Sequence, residues 1–363
     1  MDKMQRILWF DALRASLAIG IVLCHTHNVF DDFSFVIGEP ISPLLARFRV
    51  PCFHFLAGLL SIRALETYTG RYLAQRTRLL FNRLVVPSVF FLLFAVPFDD
   101  FVDAVSSGCV RGNYFLVALF EISVFNTFLL CIANKHRESV SPKNVLILSA
   151  ALTTLIISLF HDKCFDYLHW KQATFGNMFF ASGMICGMHK SSFFKLLSRK
   201  YLVLVAGVLL VACYAVADMP HASYFVRKTA LKIITPFVAI YLIFALFHSI
   251  KHIFRNDAFI GKISLYLGQR TLATYTISWV LIPILAAVRP QFIILDDDSY
   301  FWFAFLIAYI GSLIIHDVLC QLPYVEKYIF GRPKPLRSFY STVVKTQNSY
   351  VVEANTFKEA NPS

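Results

Sequence analysis

Long apolar stretches recur along the chain, and they constrain its fold more than any other feature. A helix needs about 20 mostly apolar residues to cross a bilayer. About ten segments qualify: residues 8–30, 44–62, 79–97, 114–133, 144–160, 173–189, 201–218, 231–250, 271–288 and 300–320. Only 15% of the residues are charged, whereas a soluble domain has about 25%. The sequence therefore predicts an all-α polytopic membrane protein with about ten transmembrane helices.

Charged residues are sorted between alternate connections of these segments. The connections that contain Arg63, Arg137 and Lys195 are basic, whereas residues 99–103 and 296–298 belong to acidic ones. Cytoplasmic loops of membrane proteins carry an excess of lysine and arginine. This pattern predicts that both termini are cytoplasmic.

The net charge of +12 follows from this sorting, so the bilayer is the expected partner and nucleic acid is not. We expect residues 1–330 to form an integral-membrane domain and residues 331–363 to form a polar cytoplasmic tail.

The eight cysteines occur singly, without the CxxC spacing of zinc or redox motifs. No metal site is expected, although Cys109 and Cys164 could pair in outer loops.

The first segment carries charges on one side of a helix that should cross the membrane. At about 100° per residue, Asp11, Arg14 and His25 share one stripe, and His25 lies about 16 Å beyond Arg14. Ionisable groups at membrane depth cost about 2.5–3.5 kcal/mol each and usually face a protein interior or a wet cavity. Histidine can act as a general base near neutral pH. The stripe is therefore the candidate catalytic site, and a structural ion pair with an interfacial histidine is the alternative.

Three arginines lie where the third segment begins on the predicted cytoplasmic side: Arg76, Arg78 and Arg83. The guanidinium group donates hydrogen bonds in pairs and is well suited to phosphates. A phosphate-rich cytosolic ligand is one interpretation. Anchoring to lipid phosphates is the other, and it explains Arg83 poorly because that residue lies deeper.

Two further polar residues are candidates for substrate binding. His54 lies in the second segment close to Pro51, and Glu121 lies in the fourth. A histidine bonded to a carbonyl freed by the proline is the structural alternative for His54. For His316 and Asp317, near the inner face in the last segment, we expect a structural or lipid-facing role.

The first of several ordered motifs runs from Arg6 through Asp11 to Arg14, with His25 following. The others are residues 50–58 (VPCFHFLAG), 83–87 (RLVVP), 114–119 (YFLVAL) and 268–275 (GQRTLATY). In this order they resemble the motifs of the membrane-bound acyltransferase-3 family, which O-acylates bacterial polysaccharides and glycolipids. The similarity extends from residue 6 to about residue 280.

The resemblance implies transfer of an acyl group from cytosolic acyl-CoA to a sugar hydroxyl, with acetyl-CoA as the expected donor. The expected acceptor is a surface polysaccharide or its lipid-linked precursor, at the bacterial inner membrane. Arg14 and His25, with Asp11 as support, correspond to the catalytic centre, and Arg78 and Arg83 to donor binding. Direct transfer and an acetyl-histidine intermediate both stay open. A proton-coupled transporter or flippase for a polar lipid or sugar is the alternative function.

Overall fold

The computed structural model describes residues 7–30, 41–95, 114–160, 170–219, 223–255, 258–289, 296–322, 325 and 329–330. Within these ranges the chain is helical and contains no β-strand. The helices are α1 (Leu8–Val29), α2 (Ile41–Ser61), α3 (Gly70–Leu80), α4 (Val86–Ala95), α5 (Tyr114–Lys135), α6 (Pro142–Phe160), α7 (Trp170–Met188), α8 (Lys190–Leu197), α9 (Lys200–Asp218), α10 (Tyr224–Thr229), α11 (Thr235–Ser249), α12 (Phe259–Val288) and α13 (Asp297–Leu319). Two π turns, Phe81–Val85 and Ala230–Ile234, connect α3 to α4 and α10 to α11.

Every predicted membrane segment overlaps a helix, which confirms the helical membrane character. Among the residues that the structure describes, six helices are long and apolar enough to cross a membrane: Leu8–Val29, Gly70–Phe94, Phe115–Lys135, Ala230–Ser249, Phe259–Val288 and Asp298–Leu319. A seventh span is possible if α8 and α9, which are bent by 75°, cross together. The count of about ten and the orientation stay predictions. Cys109, Cys164 and the tail at residues 331–363 lie outside the described residues.

Helix α1 lies deep in the bundle, and 72% of its apolar stretch is buried inside the protein. It packs along α12, and Gly268 of α12 makes this close approach possible. A Cβ atom at Gly268 would lie 2.5 Å from the backbone oxygen of Asp11. The charged stripe of α1 is therefore held directly against α12.

Helices α2 and α7 form the most extensive helix pair, and glycines allow their backbones to meet. A Cβ atom at Gly58 would lie 2.0 Å from the carbonyl oxygen of Phe180, and one at Gly183 would lie 2.0 Å from that of Phe55. Small residues are the usual means of close helix packing in membranes, where the hydrophobic effect does not drive helices together. The contact with α7 therefore holds α2 in place within the bundle.

A buried polar chain joins α5, α6 and α7. The Asn126 side-chain amide donates to Asn177 Oδ1 (2.5 Å), and the Asn177 amide donates to Ser149 Oγ (2.9 Å). Interhelical hydrogen bonds of this kind contribute about 0.6–2 kcal/mol in membranes. They hold α5 in position beside α7.

Both π turns come just before a proline. Pro87 follows the turn at Phe81–Val85, and Pro236 follows the turn at Ala230–Ile234. Proline has no N–H and crowds the carbonyl four residues earlier, so a wider turn relieves the contact. In the first turn that earlier residue is Arg83, which places a candidate donor-binding side chain in an irregular segment of the kind often found at functional sites.

Candidate active site

A cavity of about 180 Å³ lies between α1, α2, α5, α12 and the first π turn. Among the described residues that line it, Arg14 is the only charged one, and Thr271 and Tyr275 of α12 add hydroxyl groups. The remaining lining side chains are apolar: Ala18, Ile21, Phe53, Leu56, Ala57, Leu84, Phe115, Leu116, Leu119 and Leu272. An apolar pocket with few polar groups is the usual form of a small-molecule site.

Asp11 and Arg14 form the pair expected from their spacing. Arg14 Nη1 lies 3.6 Å from Asp11 Oδ1, and the Asp11 side chain is only 3% exposed while that of Arg14 is 33% exposed. A buried carboxylate beside a guanidinium lowers the desolvation cost of both charges. The pair therefore holds the Arg14 head group at the cavity wall.

His25 lies one turn of α1 beyond the cavity residue Ile21. Its ring packs 4.2 Å from that of Trp279 and 5.8 Å from that of Tyr275, centroid to centroid. Tyr275 also lines the cavity, so it connects the cavity wall to the imidazole. His25 is 7% exposed, and its Nδ1 atom has no hydrogen-bond partner among the described residues.

Trp279 was not singled out by sequence, although a usable signal was present. Thr271, Tyr275 and Trp279 recur every four residues and therefore share one face of α12. The Trp279 Nε1–H group is buried and also lacks a hydrogen-bond partner within the described part of the chain. Two adjacent rings, those of His25 and Trp279, thus each carry a buried nitrogen without a hydrogen-bond partner among the described residues.

His54 and Glu121 do not line the cavity. His54 Nδ1 is 3.1 Å from the carbonyl oxygen of Val50, and its ring lies against Gly176 on the α7 side. Glu121 is half-buried and comes two residues after Leu119, which turns it about 200° away on α5. Their predicted substrate-binding roles receive no support from this geometry.

The three arginines have different surroundings. Arg76 Nη1 donates to Tyr72 Oη (2.8 Å) and approaches the carbonyl oxygen of Ser61 (3.5 Å). Arg78 is exposed, whereas Arg83 is half-buried beside the cavity residue Leu84. Arg83 is therefore the arginine of this group that adjoins a cavity residue in the sequence, although it does not line the cavity itself.

A buried tyrosine organises the turn that precedes these arginines. The Tyr68 hydroxyl accepts the Arg63 backbone N–H (3.1 Å), and the Asn134 side-chain amide donates to the Tyr68 carbonyl (3.0 Å). Burial raises the pKa of Tyr68 to about 12, so the phenol stays neutral at physiological pH. The turn holds the Ser61 carbonyl near Arg76.

The fold and the cavity define a helical membrane protein with an internal, largely apolar site. The family model for the acyltransferase domain of the acyltransferase-3 type matches residues 7–319. The chain belongs to the acyltransferase-3 family, and it is a membrane acyltransferase. The matched range contains every described helix and the whole cavity lining. No curated protein and no solved structure matches the chain.

Proposed function

We propose that the protein is an O-acetyltransferase of the bacterial inner membrane. It takes the acetyl group from cytosolic acetyl-CoA and transfers it to a sugar hydroxyl of a surface polysaccharide (O-antigen, capsule or exopolysaccharide) or of its lipid-linked precursor. The observation that carries this proposal is the cavity itself, which has Arg14 at one end and adjoins His25 through Tyr275 at the other.

The donor is bound from the inner end. The phosphates of acetyl-CoA are assigned to Arg76, Arg78 and Arg83, because guanidinium groups bind phosphate oxygens in pairs. The apolar cavity wall accommodates the narrow arm that carries the thioester. Arg14 lies about 16 Å along α1 from His25, so its role is to orient the donor within the cavity rather than to contact the reacting carbonyl.

The reaction takes place beside His25. The imidazole removes the proton of the acceptor hydroxyl, and the hydroxyl oxygen attacks the thioester carbonyl carbon. The carbon–sulfur bond then breaks, and the leaving thiolate takes up the proton held by His25. The Trp279 Nε1–H donates a hydrogen bond to the carbonyl oxygen as it gains negative charge, since a preorganised donor in a dry site stabilises such an oxyanion.

The test measures transfer of radioactive acetyl groups from acetyl-CoA to glycan by the purified protein. We expect His25→Ala to lower the rate by about 10²–10⁴-fold, which is the usual contribution of a positioned general base. His27→Ala is the matched control and should retain transfer, because at about 100° per residue His27 is turned about 200° from His25 on α1. Full transfer by a folded His25→Ala protein would remove His25 from this role. Movement of glycan without label would indicate a transporter.

A further inference from the structure

A second group of reactive side chains lies on the opposite face of α12 from the cavity. Cys320 Sγ, at the end of α13, is 3.3 Å from His316 Nε2. His316 Nδ1 is in turn 2.9 Å from Asp317 Oδ1. A thiol, an imidazole and a carboxylate in this sequence of contacts are the arrangement that activates nucleophilic cysteines.

The carboxylate of this group is fixed by α12. Arg270 Nε lies 2.7 Å from Asp317 Oδ1, and the Tyr266 hydroxyl donates to Asp317 Oδ2 (2.5 Å). Arg270 is only 2% exposed, so its charge is compensated by Asp317 inside the protein. Asp317 is therefore held in one orientation, and it can hold the imidazole in turn.

The imidazole is enclosed and the thiol is accessible. His316 is fully buried, with the Phe330 ring 4.9 Å away, whereas Cys320 is half-exposed. Cys320 lies at the C-terminal end of α13, where the helix dipole disfavours a thiolate. Its reactivity must therefore come from proton transfer to His316, so it should depend on that residue.

We propose that Cys320 is an acyl-accepting thiol, activated by His316 and positioned through Asp317, which takes an acyl group from an acyl thioester. Sγ gives its proton to His316 Nε2 and attacks the thioester carbonyl carbon. The bond between that carbon and the donor sulfur breaks, and the donor thiolate takes the proton back from Nε2. One thioester replaces another, so the exchange needs no oxidant, reductant or further reactant.

The choice of acetyl-CoA as a donor rests on the proposed function, whereas the reactivity of the Cys320 thiol does not. Two probes are therefore used on the purified full-length protein: radiolabelled acetyl-CoA and the small thioester S-phenyl thioacetate. His25→Ala protein serves as the background, since it cannot pass the group to glycan. Label that hydroxylamine removes is then located by mass spectrometry. Cys131 is the internal control, because it is a half-buried thiol that donates to the Thr69 carbonyl (3.4 Å) rather than to an imidazole.

We expect label on Cys320 from both probes and at least ten times less on Cys131. Cys320→Ser should lose this label, and His316→Gln should slow its formation at least tenfold. If His316→Gln does not fold, the test is to compare the rates at which iodoacetamide alkylates Cys320 and Cys131 in the unmodified protein. Cys320 should then react at least ten times faster than Cys131. Label from S-phenyl thioacetate alone supports the reactive thiol and counts against acetyl-CoA as donor. No label on Cys320 from either probe, or equal reaction of the two cysteines, overturns the proposal.

Discussion

At the scale of single residues, the Trp279 indole is the most informative group beside His25. A buried donor without an acceptor costs about 1–3 kcal/mol, so a bound partner would recover this energy. Trp279→Phe keeps most of the ring and removes the N–H. If the N–H stabilises the oxyanion, kcat should fall by about 10²–10³-fold, with little change in the KM for acetyl-CoA.

Steady-state transfer assays on purified protein check this prediction. Trp302→Phe is the control, because Trp302 is 43% exposed on α13 and lies away from the cavity. An unchanged kcat in Trp279→Phe would mean that the indole serves only to pack against His25.

The cavity wall should set the length of the acyl chain. Leu116 and Leu130 are both fully buried on α5, but only Leu116 lines the cavity. Each leucine-to-alanine change should cost about 2–5 kcal/mol of stability. Because one methylene group is worth about 10–200-fold in a fitted pocket, Leu116→Ala should raise kcat/KM for butyryl-CoA relative to acetyl-CoA by about tenfold or more. Leu130→Ala should leave that ratio unchanged.

Local spacing explains which site residues could be predicted from sequence. The Asp11–Arg14 pair follows from a separation of three residues on one helix, and the structure contains it. His54 is also a histidine within a predicted membrane segment, so the sequence suggests a functional role for it as well. Which neighbour it faces, however, depends on the packing of α2 against α7. Trp279 resembles an ordinary apolar residue until α1 brings His25 against it.

At the scale of helices, the glycine contacts between α2 and α7 should tolerate no side chain. An alanine at Gly58 would place its Cβ 2.0 Å from a rigid backbone oxygen, so the two helices must separate. We expect a loss of about 1–3 kcal/mol and reduced transfer, since Ala57 and Leu56 line the cavity from the same helix. The measurement is the thermal unfolding midpoint of the protein in detergent.

Gly207→Ala is the control for this change. Gly207 lies in α9, and a Cβ there meets nothing within 4 Å. The higher helix propensity of alanine, about 1 kcal/mol, should leave its stability equal or higher. A Gly58→Ala protein that unfolds at the same temperature as Gly207→Ala would contradict the close backbone contact.

Apolar length predicts where helices lie but not how they deviate from regularity. The predicted segments all overlap helices because about 20 apolar residues leave few alternatives in lipid. The π turn at Phe81–Val85 was not predicted, since Pro87 is compatible with a kink, a break or a wider turn. The depth of Arg83 depends on that choice, and sequence could not decide it.

At the scale of the whole molecule, the number of spans decides on which side each end lies. In the described part of the chain, six helices are long and apolar enough to cross a membrane, or seven if α8 and α9 cross as one. An odd number of spans would put the termini on opposite sides. The distribution of lysine and arginine predicts an even number with both termini inside. This orientation matters for the proposed reaction, because it puts Arg14 in the inner half and His25 toward the outer half.

Fusions to reporter proteins test the orientation. A fluorescent protein joined after residue 330 should fluoresce, and alkaline phosphatase at the same position should be inactive, because the enzyme folds only outside the cytoplasm. Phosphatase inserted between residues 161 and 169 should be active, since that connection is predicted to be external. Active phosphatase after residue 330 would reverse the orientation of α13 and bring Cys320 to the outer face. Acetyl-CoA from the cytosol could then not reach that thiol, whereas the His25 site, oriented by α1, would be unaffected.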